Sequence, residues 1–252
     1  MFSVAYLQDP GNGKLRIEEQ MLQAEFTRRG IPVELHTIKK IQRRALPLSR
    51  STFIAGDMDA MHGAMNQLKI DIPPPDDYPQ GLLPFLKRRV WKSVLGDLQH
   101  DFFSGGDGPP VFAKPASRRK SFTGRVFSSS SDFMILGSTS RRQEIWCSEI
   151  VAWHSEYRIY VVDDRIVGID KYAGAAGAAL HLPTVEAALK AYRASGHAPS
   201  AYGIDFGLLS TGETALVEAN DGYSLGAYSV EAKPYTDLLA RRWSELLTTS
   251  RA

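Results

Sequence analysis

The chain opens on a short apolar run, Phe2–Leu7, that ends in the breaker QDPGNGK. A run of that length bounded by Gly and Pro predicts a buried strand. From Ile17 the spacing changes: Ile17, Met21, Leu22, Ala24 and Phe26 recur at helical intervals, predicting a helix to Arg29 that Gly30 stops. Pro32–Thr37 and Ser51–Ala55 read as further strands, the second leading through Gly56-Asp57 into a helix over Met58–Leu68. Strand, helix, strand, strand, helix predicts a small α/β unit with parallel strands, spanning residues 1–72. The stretch IDIPPPDDYPQG, with four prolines between positions 73 and 79, predicts a linker over 73–80.

Beyond the linker the pattern is mixed. Leu82–Asp101 reads as a helix, SGGDGPP as a loop, and Val111–Lys114 as a short strand running into PASRRKSFTG. Alternation is weak from Arg125 to Ile135. Glu144–Trp153 reads as one strand, and Glu156–Val162 with Arg165–Tyr172 as a hairpin turning at Asp163-Asp164. Val185–Ser195 is helical, Ile204–Leu209 and Thr214–Val217 form a hairpin about Thr211-Gly212, and the amphipathic stretch Tyr235–Leu247 is a last helix. Residues 81–252 therefore read as α+β with mostly antiparallel sheet, and no internal repeat is visible.

Composition narrows the picture only slightly. At 252 residues, 43% hydrophobic and 23% charged, the chain has the make-up of a globular protein large enough for two or three subdomains. A net charge of +2 gives no electrostatic argument for nucleic acid, although short basic clusters such as Arg118-Arg119-Lys120 keep a basic cleft open. Cys147 is the only cysteine, so no intrachain disulfide forms, and its apolar setting predicts a buried thiol. The six histidines are dispersed without ligand spacing. With no 18-residue apolar segment and no charged leader, the expected location is the cytoplasm, and no membrane partner is expected.

Three constellations carry candidate chemistry. A turn centred on Thr211-Gly212 sets Asp205 opposite Glu218, with Asn220 on the same face two residues on. Two adjacent carboxylates repel unless a cation sits between them, and an all-oxygen set suits Mg²⁺; the bland alternative is a solvated acidic hairpin. Lys114 ends a strand beside a serine-rich basic loop, a workable phosphate clamp or simply a surface loop. A turn at Asp163-Asp164 pairs Glu156 with Lys171 and puts Arg158 on their face, which is either an anion site or a surface ion pair.

In order along the chain, AKPASRRKSFTG, SEIV, Glu156, Lys171 and the set Asp205, Glu218, Asn220 resemble the ATP-grasp superfamily of carboxylate–amine ligases. EYRIYVVDDRIVG and VEANDGYSLGAY are similar to a divergent clade that includes bacterial and phage proteins and the eukaryotic translation-initiation assembly factor. The resemblance covers about Lys87 to Tyr228. It implies an ATP-grasp fold: two α+β subdomains, 81–148 and 149–252, clamping ATP after the N-terminal α/β unit. By that resemblance Lys92, Lys114, Lys120 and Lys171 hold phosphates, Glu149, Ile150 and Val151 read adenine, and Glu156 binds ribose. Asp205, Glu218 and Asn220 then hold Mg²⁺. Such ligases often carry Arg two residues before the metal Asp; here the position is Gly203, which leaves Arg158 and Lys171 as candidate catalytic cations. The implied partners are ATP, a carboxylate and an amine, each from an amino acid, peptide or protein side chain, with room for a homodimer. A Mg·ATP-binding switch without ligase activity stays open as the alternative. A nucleic-acid ligase is disfavoured because its lysine motif is missing, and a structural protein without ligand is the remaining reading.

Overall fold

A computed structural model describes residues 2–104, 108–116, 121–175 and 177–249. Its first unit is a parallel sheet of β1 (Val4–Gln8), β2 (Val33–His36) and β3 (Thr52–Ala55), in the order β2-β1-β3. Three helices belong to it: α1 (Ile17–Arg28), α2 (Ile38–Gln42) and α3 (Met58–Leu68). The α3 helix starts where Asp57 accepts a 3.0 Å hydrogen bond from the Ala60 amide, one of the unpaired donors of the first turn. The short α2 carries no long apolar period, and the sequence reading misses it.

Two antiparallel four-stranded sheets follow. The central one runs β4-β7-β5-β6 and consists of β4 (Val90–Val94), β5 (Val111–Pro115), β6 (Arg125–Phe127) and β7 (Glu144–Glu149). Helix α4 (Leu95–Phe103) and a 3-10 turn at Ser130–Leu136 close its core around Phe127 and Cys147. Burial pushes the Cys147 thiol up to about 12, so it is an inert packing group. The C-terminal sheet runs β11-β10-β8-β9, from β8 (Trp153–Val162), β9 (Arg165–Gly174), β10 (Ala201–Leu209) and β11 (Thr214–Asp221). Helix α5 (Leu182–Ala194) and a 3-10 helix at Gln80–Phe85 pack on one face through Val185, Leu189, Leu82, Ile159, Ile204 and Phe206. The long α6 (Ala232–Thr249) joins the C-terminal sheet to the first unit: Trp243, Leu239 and Tyr160 share one core with Leu7, Phe26 and Phe53.

Two expectations need correction. Residues 82–101 are not one helix: Lys87 takes a left-handed φ of 53°, and Val90–Val94 becomes a strand paired with β7. Valine and tryptophan at 90–91 fit a pleated surface, and pairing overrides the helical spacing. Glu144–Trp153 is likewise two strands, broken at Ile150–Ala152 where the chain passes from the central sheet to the C-terminal one. The expected linker 73–80 has no helix or strand up to Pro79, and its end packs into the interior. Asp77, Tyr78 and Pro79 are buried, and the Asp77 carbonyl accepts from the Ala219 amide at 2.9 Å. Among the described residues no helix is long and apolar enough to cross a membrane.

Candidate functional site

Two rows of side chains, one on each antiparallel sheet, meet at the site. On the central sheet Trp146 of β7 lies opposite Lys92 of β4 and Lys114 of β5, so all three share a face. The Lys92 ammonium sits 4.8 Å from the Trp146 ring centroid. Lys114 lies 4.6 Å from that of Tyr78, whose ring meets Trp146 edge-on at 5.0 Å. On the C-terminal sheet the row is Arg158, Asp205 and Glu218, opposed across β8, β10 and β11. Arg158 grips Asp205 through two hydrogen bonds, Nε to Oδ1 at 2.9 Å and Nη2 to Oδ2 at 2.8 Å, and their exposures are only 9% and 2%. The Asn220 amide donates to Glu218 at 3.2 Å.

Lys114 links the rows. Its ammonium pairs with Asp77 at 2.9 Å and also with Glu218, reaching from the central sheet to β11. Burial disfavours its charge, but Glu218, Tyr78 and Asp77 more than offset that and raise its pKa above the ordinary lysine value. Against burial, the charge and hydrogen bond of Lys114 hold the Glu218 carboxyl below the usual range. Burial, opposed by Arg158 and reinforced by Glu218 and Glu156, raises Asp205. Glu156 shares the face, since it lies two residues from Arg158 on β8, and accepts from the Tyr172 hydroxyl at 3.1 Å. Tyr172 stacks on Tyr228 at 5.0 Å, and the Arg158 guanidinium lies 5.1 Å from the Tyr228 centroid. The segment Ile150–Ala152 connects the two sheets. The Glu149 carboxylate that precedes it accepts from the Arg89 amide at 2.9 Å, and Ile150 is exposed.

A family model for an ATP-grasp domain, the second family of its clade, matches residues 85–238, more than half of the chain and the stretch that holds both rows. The chain belongs to the ATP-grasp family. Solved structures agree in fold. The N5-carboxyaminoimidazole synthase of Aspergillus clavatus, solved with ADP and 5-aminoimidazole ribonucleotide, superposes with a TM-score of 0.57 at 11% identity, over 97% of this chain and 77% of that one. The D-alanine–D-alanine ligase of Bacillus anthracis gives 0.56 at 12% identity, over 99% and 97%. A RimK domain ATP-grasp protein of Sphaerobacter thermophilus gives 0.51 at 14%, over 94% and 98%. None of the curated proteins matches the chain by sequence.

Within this candidate site the expected pairing of Asp205 with Glu218 is present, though not by the expected turn. Leu209 and Glu213 flank a three-residue loop, the Leu209 amide donating to the Glu213 carbonyl at 2.8 Å, and Gly212 takes a φ of 87°. That loop offsets the register by one. A bulge between Asp205 and Phe206 offsets it back, so the acids still oppose each other.

The β8–β9 hairpin is a correction. Its turn at Asp163-Asp164 is as expected, both residues having positive φ. Bulges at Tyr160/Val161 and Glu156/Tyr157 then move the partners, so Lys171 lies opposite Tyr157 and Glu156 opposite Ala173. Lys171 falls on the other face from Arg158, exposed, its ammonium on the Ala175 carbonyl at 2.7 Å. Tyr172 takes the place at the site that Lys171 was expected to fill. Lys120 lies outside the described residues.

Sequence reasoning missed Asp77, Tyr78, Tyr172 and Tyr228. A signal existed for the first two: an acid pair and an aromatic closing a proline run are poor spacer material. At Gly203, a side chain would start 2.7 Å from Leu225, which fills the space an arginine would need.

Among the described residues no three or more His, Cys, Asp or Glu side chains cluster as a ready metal site. The donors around Glu218 nonetheless fit a hard divalent cation. Three carboxylates, Glu156, Asp205 and Glu218, share the face with an amide oxygen, and the cations that balance them are Arg158 and Lys114. Lys114 takes one Glu218 oxygen, Oε2, and the Asn220 amide the other, Oε1.

Proposed function

We propose that the protein is an ATP-dependent ligase that joins a carboxylate to an amine, releasing ADP and phosphate. The observation that carries this reading is the junction of the Lys92–Trp146–Lys114 row with the Arg158–Asp205–Glu218 row. Lys92 and Lys114 neutralise the ATP phosphates. Glu149, with the backbone of Ile150 and Val151, reads the adenine edge, and Glu156, steadied by Tyr172, binds the ribose. Asp205, Glu218 and Asn220 are the groups that would hold Mg²⁺, which when bound supplies charge neutralisation at the phosphate oxygens. A substrate carboxylate oxygen attacks the γ-phosphorus and the bond to ADP breaks, leaving an acyl phosphate. The amine nitrogen then attacks the acyl carbon, phosphate leaves with the bonding pair, and the amine proton passes to solvent. Neither step needs a covalent nucleophile from the chain; positioning and electrostatics carry the rate.

Arg158 is assigned differently from the sequence expectation. Its guanidinium is taken up by Asp205, so it orients that carboxylate instead of meeting the reacting acyl group. The same fact, with Leu225 walling Gly203, favours a second reading in which Mg·ATP is bound as a switch and no bond is made.

Incubation with Mg·ATP and a library of carboxylates and amines, scored by ADP release and product mass, separates the two. The ligase reading expects ADP release that requires both substrates. Tight Mg·ATP binding with no turnover against any pair selects the switch.

A further inference from the structure

A cavity of about 570 Å³ opens on the other side of Asn220, between α3, the proline run 73–75 and the C-terminal end of α5. It touches the site directly, because Asn220 lines it and also donates to Glu218. Its volume lies in the range of small-molecule sites, with room for an amino acid or a short peptide.

The charged groups on its wall are mostly of one sign. Asp59, Asp76 and Asp221 stand against a single guanidinium, Arg242. That guanidinium is already committed: two hydrogen bonds to Asp221, at 2.8 and 2.6 Å, and a third to Glu245 at 2.8 Å. Neither Asp59 nor Asp76 has a salt-bridge partner among the described residues. Asp76 is an exposed residue whose carboxyl is partly desolvated; that desolvation, then Asp77, raises it above its ordinary value, with Lys92 and His197 acting the other way. A carboxylate ligand entering here meets a surplus of negative charge, three carboxylates against one committed guanidinium, whereas an ammonium reduces it. Met58, Ile72 and Tyr192 supply apolar wall for the carbon skeleton that bears the amine. His62, hydrogen-bonded to the Tyr223 hydroxyl at 2.9 Å, and His197 complete a lining that accepts as readily as it donates.

We propose that this cavity is the docking site of the amine-bearing substrate, an amino-acid or peptide-like ammonium held by Asp59 and Asp76. The assignment rests on the ligase reading and adds to it which of the two substrates approaches from the side of α3. Approach there brings the ligand to Asn220, at the end of β11 that carries Glu218.

The test is a titration of the nucleotide-free protein, read by NMR of the ligand and of the His62 and His197 ring protons. Lysinamide and glycyl-glycinamide offer amines without a carboxylate; succinate and N-acetylglycine offer carboxylates without an amine. The two amides should bind in the millimolar range or tighter and move both histidine signals. Asp59→Asn and Asp76→Asn should each weaken them roughly 10- to 100-fold, the scale of one charge-assisted hydrogen bond. Both changes are at exposed positions, and α3 keeps its Asp57 cap. Binding of succinate or N-acetylglycine in preference to the amides overturns the proposal. Amide affinity that neither variant alters does so as well, as does the absence of any amide binding at millimolar concentration. A separate Mg·ATP titration keeps the two ideas apart: loss of nucleotide binding in the unaltered protein sinks the ligase reading, whatever the amides do.

Discussion

The two facing rows solve opposite problems. The central-sheet row is cationic and half open: Lys92 is exposed on an aromatic platform, and its charge needs no partner because water reaches it. The C-terminal row is acidic and closed, and Arg158 and Asp205 are buried together, so each is tolerable only because of the other. A side chain of the first kind is available to a ligand at small cost. One of the second kind sets geometry and resists rearrangement. Lys114 belongs to the first row by position and to the second by partnership, which makes it the group whose commitments must change when anything enters the cleft.

The largest effect should come from breaking the closed row. Arg158→Ala strands a buried carboxylate and should lower stability by ~3–5 kcal/mol, measured by urea denaturation. A loss under ~1 kcal/mol would mean the pair is solvated and the contrast between rows is wrong. Next, Glu218→Gln should keep the fold and weaken Mg·ATP binding by calorimetry roughly 10- to 100-fold. Unchanged affinity would put any divalent cation elsewhere. Lys114→Ala should weaken the nucleotide by ~1.5–3 kcal/mol, yet strengthen the binding of Mg²⁺ alone, because Glu218 loses its competitor. If both ligands weaken together, Lys114 supports the site without guarding it. The smallest effect is expected at Lys171→Ala: stability within ~0.5 kcal/mol and nucleotide affinity within a few-fold. A tenfold loss of affinity there would return its ammonium to the phosphates.

The two hairpins show how far pattern can be read. Turn residues and β propensity located both correctly, but facing partners depend on register, and one bulge flips every residue beyond it. In β10–β11 two offsets cancel, so Asp205 meets Glu218; in β8–β9 the offsets add, and the first alone sends Lys171 to the far face. Bulges arise from packing across the whole sheet and leave no local trace in composition. The same holds for Lys92, which the helical spacing of 82–101 assigns to a helix while pairing with β7 makes it a strand residue. Candidate groups that the sequence marks by chemistry, Lys114, Asp205, Glu218 and Asn220, do come together in space. Tyr172 carries no motif and enters through the bulge, while Asp77, marked only by the acid pair that closes the proline run, enters through the packing of 77–79.

The core that Trp243 shares with Leu7, Phe26 and Phe53 bears on how the chain is made. Trp243 donates to the Thr52 carbonyl at 2.8 Å, and Arg50 donates to that of Leu247 at 2.7 Å, contacts between residues 191 and 197 positions apart. A ribosome adding roughly 5–20 residues per second needs on the order of ten to forty seconds to travel from β3 to α6. Throughout that interval the apolar surface of the first sheet destined for α6 has nothing of its own to cover it. The part of the first unit's apolar surface that α6 covers thus stays open until the end of the chain is made, and a nascent chain stalled before residue 232 is a natural client for a chaperone.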